Sequence, residues 1–217
     1  MPGPLPPAGP ADPGSLRTQL EAIIERLPRG SMTLGELLRV IGDEGLLVLS
    51  ILLTLVFLIP VSIPGVSTVF GAAILLVGIS RLSGRALWIP RRLAERPLPA
   101  DRLRPALGRG MAWVRRLERI SRPHRLPGVI DGRARMLVNN LAFVFAALLL
   151  MAPFGFVPFS NTIPALALLL YAVGFIQRDG VAVLLGHLAT IGTVVYFSVL
   201  IGGGGLALQQ LWQRFAG

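Results

Sequence analysis

The chain has no cysteine and no lysine, and charge of either sign is scarce. Without cysteine there is no disulfide framework, no thiolate metal site and no thiol nucleophile. Without lysine, all 21 basic residues are arginine; nothing in membrane topology demands this, and genomic base composition is the ordinary reason. Charged residues are 15% of the 217, where a soluble domain carries roughly a quarter. Histidine occurs twice, at His124 and His187, and no HExxH, GxSxG or P-loop pattern is present. No metal site, no cofactor and no nucleophile–base pair is expected, and so no enzyme.

What the chain does have is apolar sequence and one basic block. Hydrophobic residues are 53% of it. Residues 1–44 carry a net charge of −2, residues 81–135 hold fifteen arginines and a net +11, and residues 136–217 a net +1. A basic block is either a nucleic-acid patch or a cytoplasmic membrane loop. Apolar runs on both sides favour the loop, because cytoplasmic loops accumulate Arg and Lys. The expected partner is therefore a bilayer with anionic headgroups and not a nucleic acid.

Five segments are almost wholly apolar: 45–59, 66–80, 136–152, 163–176 and 181–201. Crossing a bilayer core takes about 20 helical residues, which only 181–201 supplies unaided. Three of the others reach only about 21–23 Å as helices. Two pairs are joined by "PVSIPGVSTVFGA" at 60–72 and "PFGFVPFSNTIPA" at 153–165. Each pair is either a re-entrant hairpin or a tight hairpin of tilted spans. At an offset of 94, Pro64 falls on Pro158, Ser67 on Asn161 and Thr68 on Thr162. This is either a weak internal repeat or the common need of two hairpins for turn residues.

The expected architecture is an all-α integral membrane protein with two Pro-broken helical hairpins, a C-terminal transmembrane helix and amphipathic interfacial helices. Residues 1–14, rich in Pro and Gly, form a tail expected to be disordered and lack the pattern of a cleavable signal peptide. Residues 15–41 read as amphipathic cytoplasmic helices, with a capping box at Thr33 and Glu36. The first membrane hairpin covers 42–80, the Arg-rich cytoplasmic or interfacial segment 81–135, and the second hairpin, last span and amphipathic tail 136–217. With 81–135 in the cytoplasm and each hairpin spanning, both hairpins enter from that side, the repeats are parallel, "QRDG" at 177–180 returns there and the Gly202–Gly205 run lies outside; with a re-entrant segment the crossings are fewer and the side of the C-terminus stays open.

These residues resemble the ExoD family of bacterial inner-membrane proteins. The matching elements are "GDEGLLVL" (42–49), "PVSIPGVSTVFGAAILL" (60–76), "WIPRRL" (88–93), "WVRRLERISRP" (113–123), and "PFSNTIPALALLL" with "RDGV" (158–181). Their order and spacing cover roughly 40–205, and the first stretch departs from the usual form in having Ser62-Ile63 between its prolines. The resemblance implies a role in exopolysaccharide production and envelope physiology, and a link to growth under alkaline stress. It implies no established biochemical activity and no catalytic residues.

Irregular backbone survives at membrane depth only when buried in protein or lining a wet cavity. Helix starts after Pro64-Gly65 and near Asn161 present free N–H groups and positive dipole ends. Ser67, Thr68, Asn161 and Thr162 add side-chain donors, with Pro64 and Pro158 shaping the turns. Two such helix starts facing one another suit an anion, as in transporters with discontinuous helices. The leading expectation is thus a small transporter or flippase-like protein handling an anionic or lipid-linked species. If the turns instead sit at the outer interface, water satisfies them and there is no site. Asp43, Glu44, Arg178, Asp179 and His187 either form a gate or proton-coupling group or serve as interfacial anchors, helix caps and a structural hydrogen bond. Arg91 and Arg92 read as headgroup anchors or as binders of a lipid-linked phosphate, and Arg115, Arg116 and Arg119, on a helix with Trp113, Leu117 and Ile120, face either lipid headgroups or the protein's own cytoplasmic surface. The rival readings are an accessory scaffold for polysaccharide-synthesis machinery and an ion or proton exchanger. A homodimer is expected, because few crossings enclose no path alone.

Overall fold

The computed structural model describes residue 25 and residues 31–58, 66–85, 87, 91–95, 97–99, 125–154 and 157–216. Pro64, Arg115, Arg116, Arg119, His124 and nearly all of the 15–29 segment lie outside the described residues.

The first long helix, α1 (Leu34–Leu55), starts where local chemistry says it should. Thr33 Oγ1 accepts from the Glu36 amide at 3.2 Å, and the Thr33 amide donates to Glu36 Oε2 at 2.8 Å. These two bonds satisfy orphan donors at both ends of the first turn. The expected boundary near "GDEG" is there: the helical geometry breaks at Gly42. Gly42 stands at φ 63°, ψ −174°, and the helix resumes on its far side; that conformation is open to glycine and strained for other residues. A 3₁₀ turn, Val56–Leu58, closes the helix.

The helices that follow are α2 (Val66–Ser83), the short α3 (Arg91–Ala94), α4 (Arg133–Leu150), α5 (Thr162–Gln177) and α6 (Gly180–Ala216). Apart from them there is a two-stranded antiparallel ribbon, β1 (Ser31–Thr33) with β2 (Pro97–Pro99), in the register Ser31↔Pro99 and Thr33↔Pro97. It ties the start of α1 to the basic segment.

Helices α1, α2, α4 and α5 close a ring: α1 contacts α2 and α5, and α4 contacts the same two. Glycines set the close approaches. A Cβ at Gly71 would meet Met151 Cγ at 2.5 Å, and one at Gly78 would meet Val144 Cγ2 at 2.8 Å. Residue 71 thus meets the end of α4 and residue 78 its middle, so α2 and α4 run antiparallel. The Phe57 and Phe70 rings touch edge to face at 5.9 Å, joining the end of α1 to the start of α2. At the other end, the Arg81 guanidinium lies 5.1 Å from the Phe175 ring centroid. The starts of α2 and α5 therefore stand at one end of the bundle, and Arg81, Arg178 and the 125–133 segment at the other.

Helix α5 is the most deeply buried member of this ring. Ala165, Ala167, Leu168, Tyr171 and Ala172 are all fully buried, as expected of a helix apolar on every face. With Leu47, Ile51, Ile74, Phe143 and Leu150 they make one core. Helix α6 packs outside the ring, on α5 and α4.

Two helices among the described residues are long and apolar enough to cross a membrane: Arg133–Leu150 and the Gly180–Gly204 part of α6. The first passes because its helix begins before the apolar run at 136. Neither is a buried core helix. Leu137, Leu141, Phe145 and Leu148 of α4 are exposed, as are Leu184, Leu188, Ile191, Val195 and Val199 of α6. These are outward stripes at helical spacing, the reverse of a soluble helix and far beyond scattered surface leucines. Helix α6 also continues through Gly202–Gly205 to Ala216, where the sequence pointed to a separate tail. Glycine costs a helix about 1 kcal/mol per residue in water, yet the helix runs through all four.

Candidate functional site

Polar side chains gather at three levels of the bundle. At the turn end, Ser160 is buried and its hydroxyl lies 2.7 Å from the Phe154 carbonyl and 2.8 Å from that of Val157, closing the connection on itself. Asn161 follows at the N-cap of α5 but makes no capping bond with its side chain. It is 95% buried, and its Nδ2 has no hydrogen-bond partner. Leaving such a donor unpaired costs about 1–3 kcal/mol. Its counterpart by sequence offset, Ser67 in the first turn of α2, is buried, while Thr68 and Pro158 are exposed and Thr162 is half-buried. The structure thus brings both helix starts to one end and gives one of them an unused donor.

In the middle, one connected network crosses three helices. His187 Nε2 lies 3.0 Å from Asn139 Oδ1 on α4, and its Nδ1 lies 3.0 Å from the Tyr171 hydroxyl on α5. That hydroxyl is 3.1 Å from Thr190 Oγ1, which lies 2.9 Å from the Gly186 carbonyl. Asn139 Nδ2 donates to the Val129 carbonyl at 3.1 Å. Gly186 makes room, since a Cβ there would sit 2.9 Å from the Tyr171 ring.

These four contacts need four hydrogens: the network supplies four when both His187 nitrogens are protonated and three when the ring is neutral. With neutral His187, Nε2–H donates to Asn139 and the Tyr171 O–H donates to Nδ1. With both ring nitrogens protonated, Nδ1–H donates to Tyr171, Tyr171 to Thr190, and Thr190 to the Gly186 carbonyl. With neutral His187 the Thr190 O–H serves either Tyr171 or the Gly186 carbonyl and not both. Of these residues the sequence singled out only His187. Its i, i+3 spacing to Thr190, with Gly186 beside them, was the available signal; Asn139 and Tyr171 join only through tertiary packing.

At the basic end, Arg178 takes the left-handed conformation at φ 50° and is exposed. Asp179 is buried, and its Oδ1 accepts from the amides of Val181 at 3.0 Å and Ala182 at 3.4 Å. It is the N-cap of α6. The Gly180 amide donates to the Arg125 carbonyl at 2.7 Å, and a Cβ on Gly180 would collide with the Leu126 carbonyl. The start of α6 thereby docks on the last residues of the basic segment. Arg91 is exposed on α3, where Arg92 also falls. Asp43 and Glu44 lie in α1 just past the Gly42 kink. Among the described residues, no three of His, Cys, Asp and Glu stand together to hold a metal.

The family model for exopolysaccharide synthesis, ExoD, matches residues 16–199. The chain is also 45% identical over 186 residues to Protein ExoD of Rhizobium meliloti (strain 1021), covering 86% of this chain and 77% of that protein. It belongs to the ExoD family. An uncharacterized protein of Synechocystis sp. (strain ATCC 27184 / PCC 6803 / Kazusa), slr1875, is 28% identical over 189 residues, covering 86% of this chain and 84% of that one. No solved structure matches the chain. Membership of the ExoD family supports a part in exopolysaccharide synthesis and envelope physiology, without naming a step.

Proposed function

We propose that this ExoD-family chain is a non-enzymatic, multi-pass protein of the bacterial inner membrane that moves or handles an anionic or lipid-linked species in exopolysaccharide production. The observation that carries the reading is Asn161: a donor buried without a partner, at the start of a broken helix, at the same end as the other broken start. A buried unpaired N–H is costly and persists where something else uses it. The outward apolar stripes of α4 and α6 support a lipid setting. The shared end of the two helix starts supports parallel, repeat-related hairpins that enter from the cytoplasmic side, with the basic end inside.

The test is exopolysaccharide output in cells carrying Ser67→Ala, Thr68→Ala, Asn161→Ala and Thr162→Ala in place of the wild type. Output should fall to the level of a deletion while the protein reaches the membrane in normal amount. Normal output from the quadruple variant would refute the site.

One observation favours a second reading. The docking of Gly180 on Arg125 fixes the C-terminal end of the basic segment to the bundle, and Arg125, Arg133 and Arg135 are all exposed there. A fixed basic face suits a scaffold that holds a polysaccharide synthase. Charge reversal at Arg115, Arg116 and Arg119 separates the two: lost association with normal export activity favours the scaffold.

A further inference from the structure

The network in the middle of the bundle has more contacts than a neutral histidine can fill, and both of its ends are fixed. Asn139 Nδ2 donates to the Val129 carbonyl, so Asn139 turns Oδ1 toward His187, and Nε2 carries a hydrogen whatever the charge of the ring. At the far end, Thr190 Oγ1 meets the Gly186 carbonyl, which only accepts. Between them stand Nδ1 to Tyr171 at 3.0 Å and Tyr171 to Thr190 at 3.1 Å. Tyr171 has one hydrogen for the two. If it goes to Nδ1 and the Thr190 hydrogen to Gly186, two hydroxyl oxygens face each other at 3.1 Å with none between them. A hydrogen on Nδ1 removes the conflict. Each contact then has one, and from Nδ1 to the Gly186 carbonyl all point the same way.

The surroundings also accept an imidazolium. Both of its N–H groups have an oxygen at 3.0 Å, and charge-assisted bonds of this kind are about twice as strong as neutral ones. His187 is half-buried. Asn139, which holds Nε2, also lines a cleft of about 190 Å³ at the basic end, a volume that accommodates several water molecules. The charged groups around that cleft are Arg81 of α2 and Arg178 after α5, which line it, Arg133 and Arg135 at the start of α4, Asp179 at the start of α6 and the exposed Asp131. The titratable group in contact with the ring is Tyr171.

We propose that His187 is a proton-binding site. Nδ1 takes a proton from water and the ring becomes an imidazolium. The Tyr171 hydroxyl turns from donating to Nδ1 to accepting from it, and donates to Thr190, which donates to the Gly186 carbonyl. The bound proton thereby supplies the missing fourth hydrogen and locks α4, α5 and α6 together. Through Asn139 the locked network extends to the Val129 turn of the basic segment. On release, Tyr171 turns back to Nδ1 and one contact is given up. The proposal rests on these three helices and not on the turn-end site, and its variants leave Ser67 and Asn161 intact, so the two fail separately.

The test is nitrogen-15 NMR of the full-length protein in lipid nanodiscs, labelled at histidine and carrying His124→Gln so that one ring reports. At high pH His187 should show a protonated Nε2 and a bare Nδ1. Nδ1 should gain its proton as the pH falls from about 8 to about 5, the range in which histidines change charge. Tyr171→Phe, which loses the acceptor of the new N–H, should lower the midpoint by about half a pH unit or more, a threefold loss of proton affinity. Thr190→Val should shift it the same way by less. Thr193→Val, a buried threonine one turn on whose hydroxyl bonds the Ala189 carbonyl, should leave it in place. If Tyr171→Phe does not yield a folded protein, the two threonine variants decide. A bare Nδ1 throughout, a bare Nε2 at high pH, or a midpoint that Tyr171→Phe and Thr190→Val leave unchanged or raise would overturn the proposal. So would an equal shift with Thr193→Val.

Discussion

Replacing Tyr171 by Phe removes one oxygen from the centre of the bundle and keeps the ring. Its edge contacts with Phe143 and His187, at centroid distances of 6.5 Å and 5.2 Å, survive the change. What goes is a hydroxyl 3.0 Å from His187 Nδ1 and 3.1 Å from Thr190 Oγ1. Hydrogen bonds between membrane helices average about 0.6 kcal/mol and reach about 1.7 kcal/mol. Two of them bound the loss at roughly 1–3 kcal/mol. Thr190 keeps its bond to the Gly186 carbonyl at 2.9 Å, so only His187 Nδ1 loses its partner. The expected cost is therefore in the lower half of that range, about 1–2 kcal/mol. Pairing Tyr171→Phe with His187→Leu isolates the contact. The double variant should be less destabilised than the sum of the singles by about 0.6–1.7 kcal/mol, because the same bond is lost twice in the sum. The assay is reversible unfolding of the full chain in mixed micelles. Losses that simply add, or a Tyr171→Phe protein as stable as wild type, would refute the network as a source of stability.

Further outcomes follow from the glycines and the cap of α6. Gly180→Ala drives a methyl into the Leu126 carbonyl and strains the amide bond to Arg125; it should cost about 2–4 kcal/mol, overpacking plus a weakened bond. Gly192→Ala in the same helix meets nothing within 4 Å and should stabilise by up to about 1 kcal/mol, both read in the same unfolding assay. Asp179→Ala should cost about 1 kcal/mol as a lost cap, and Asp179→Asn should restore most of it. If Asp179 carried protons, asparagine would keep the stability and still abolish exopolysaccharide output, which makes the pair a test of its role.

Features made of neighbouring residues were readable in the sequence. The Thr33–Glu36 box is one, since both of its bonds span three positions. The apolar runs that became α1, α2, α4, α5 and α6 are another, because each was marked by its own composition. The boundaries were less evenly legible. Gly42 and Gly202–Gly205 look like helix breaks when weighed by propensities measured in water. Gly42 does break the helical geometry, whereas α6 runs on through Gly202–Gly205. Asn161 could be singled out by its place after a proline-rich turn, but its burial and its failure to cap α5 could not. The network was the least visible part. Asn139 and His187 are 48 positions apart, and their meeting depends on α6 packing against α4. Arg81 looked like the first residue of a solvated basic loop until Phe175 and the cleft gave it a place in the bundle.

The most direct measurement is thiol accessibility, which a chain without cysteine permits on a clean background. Single cysteines replace Thr68, Asn161 and Arg178 in turn, and intact cells and inverted membrane vesicles are treated with a membrane-impermeant maleimide. Residue 68 should label from the outer face and residue 178 from the inner face. Residue 161 should label slowly and from both, as a group inside a cavity between two broken helices. Labelling of 161 from the outside alone, at the rate of 68, would make the connection a surface turn and remove the site on which the proposed function stands.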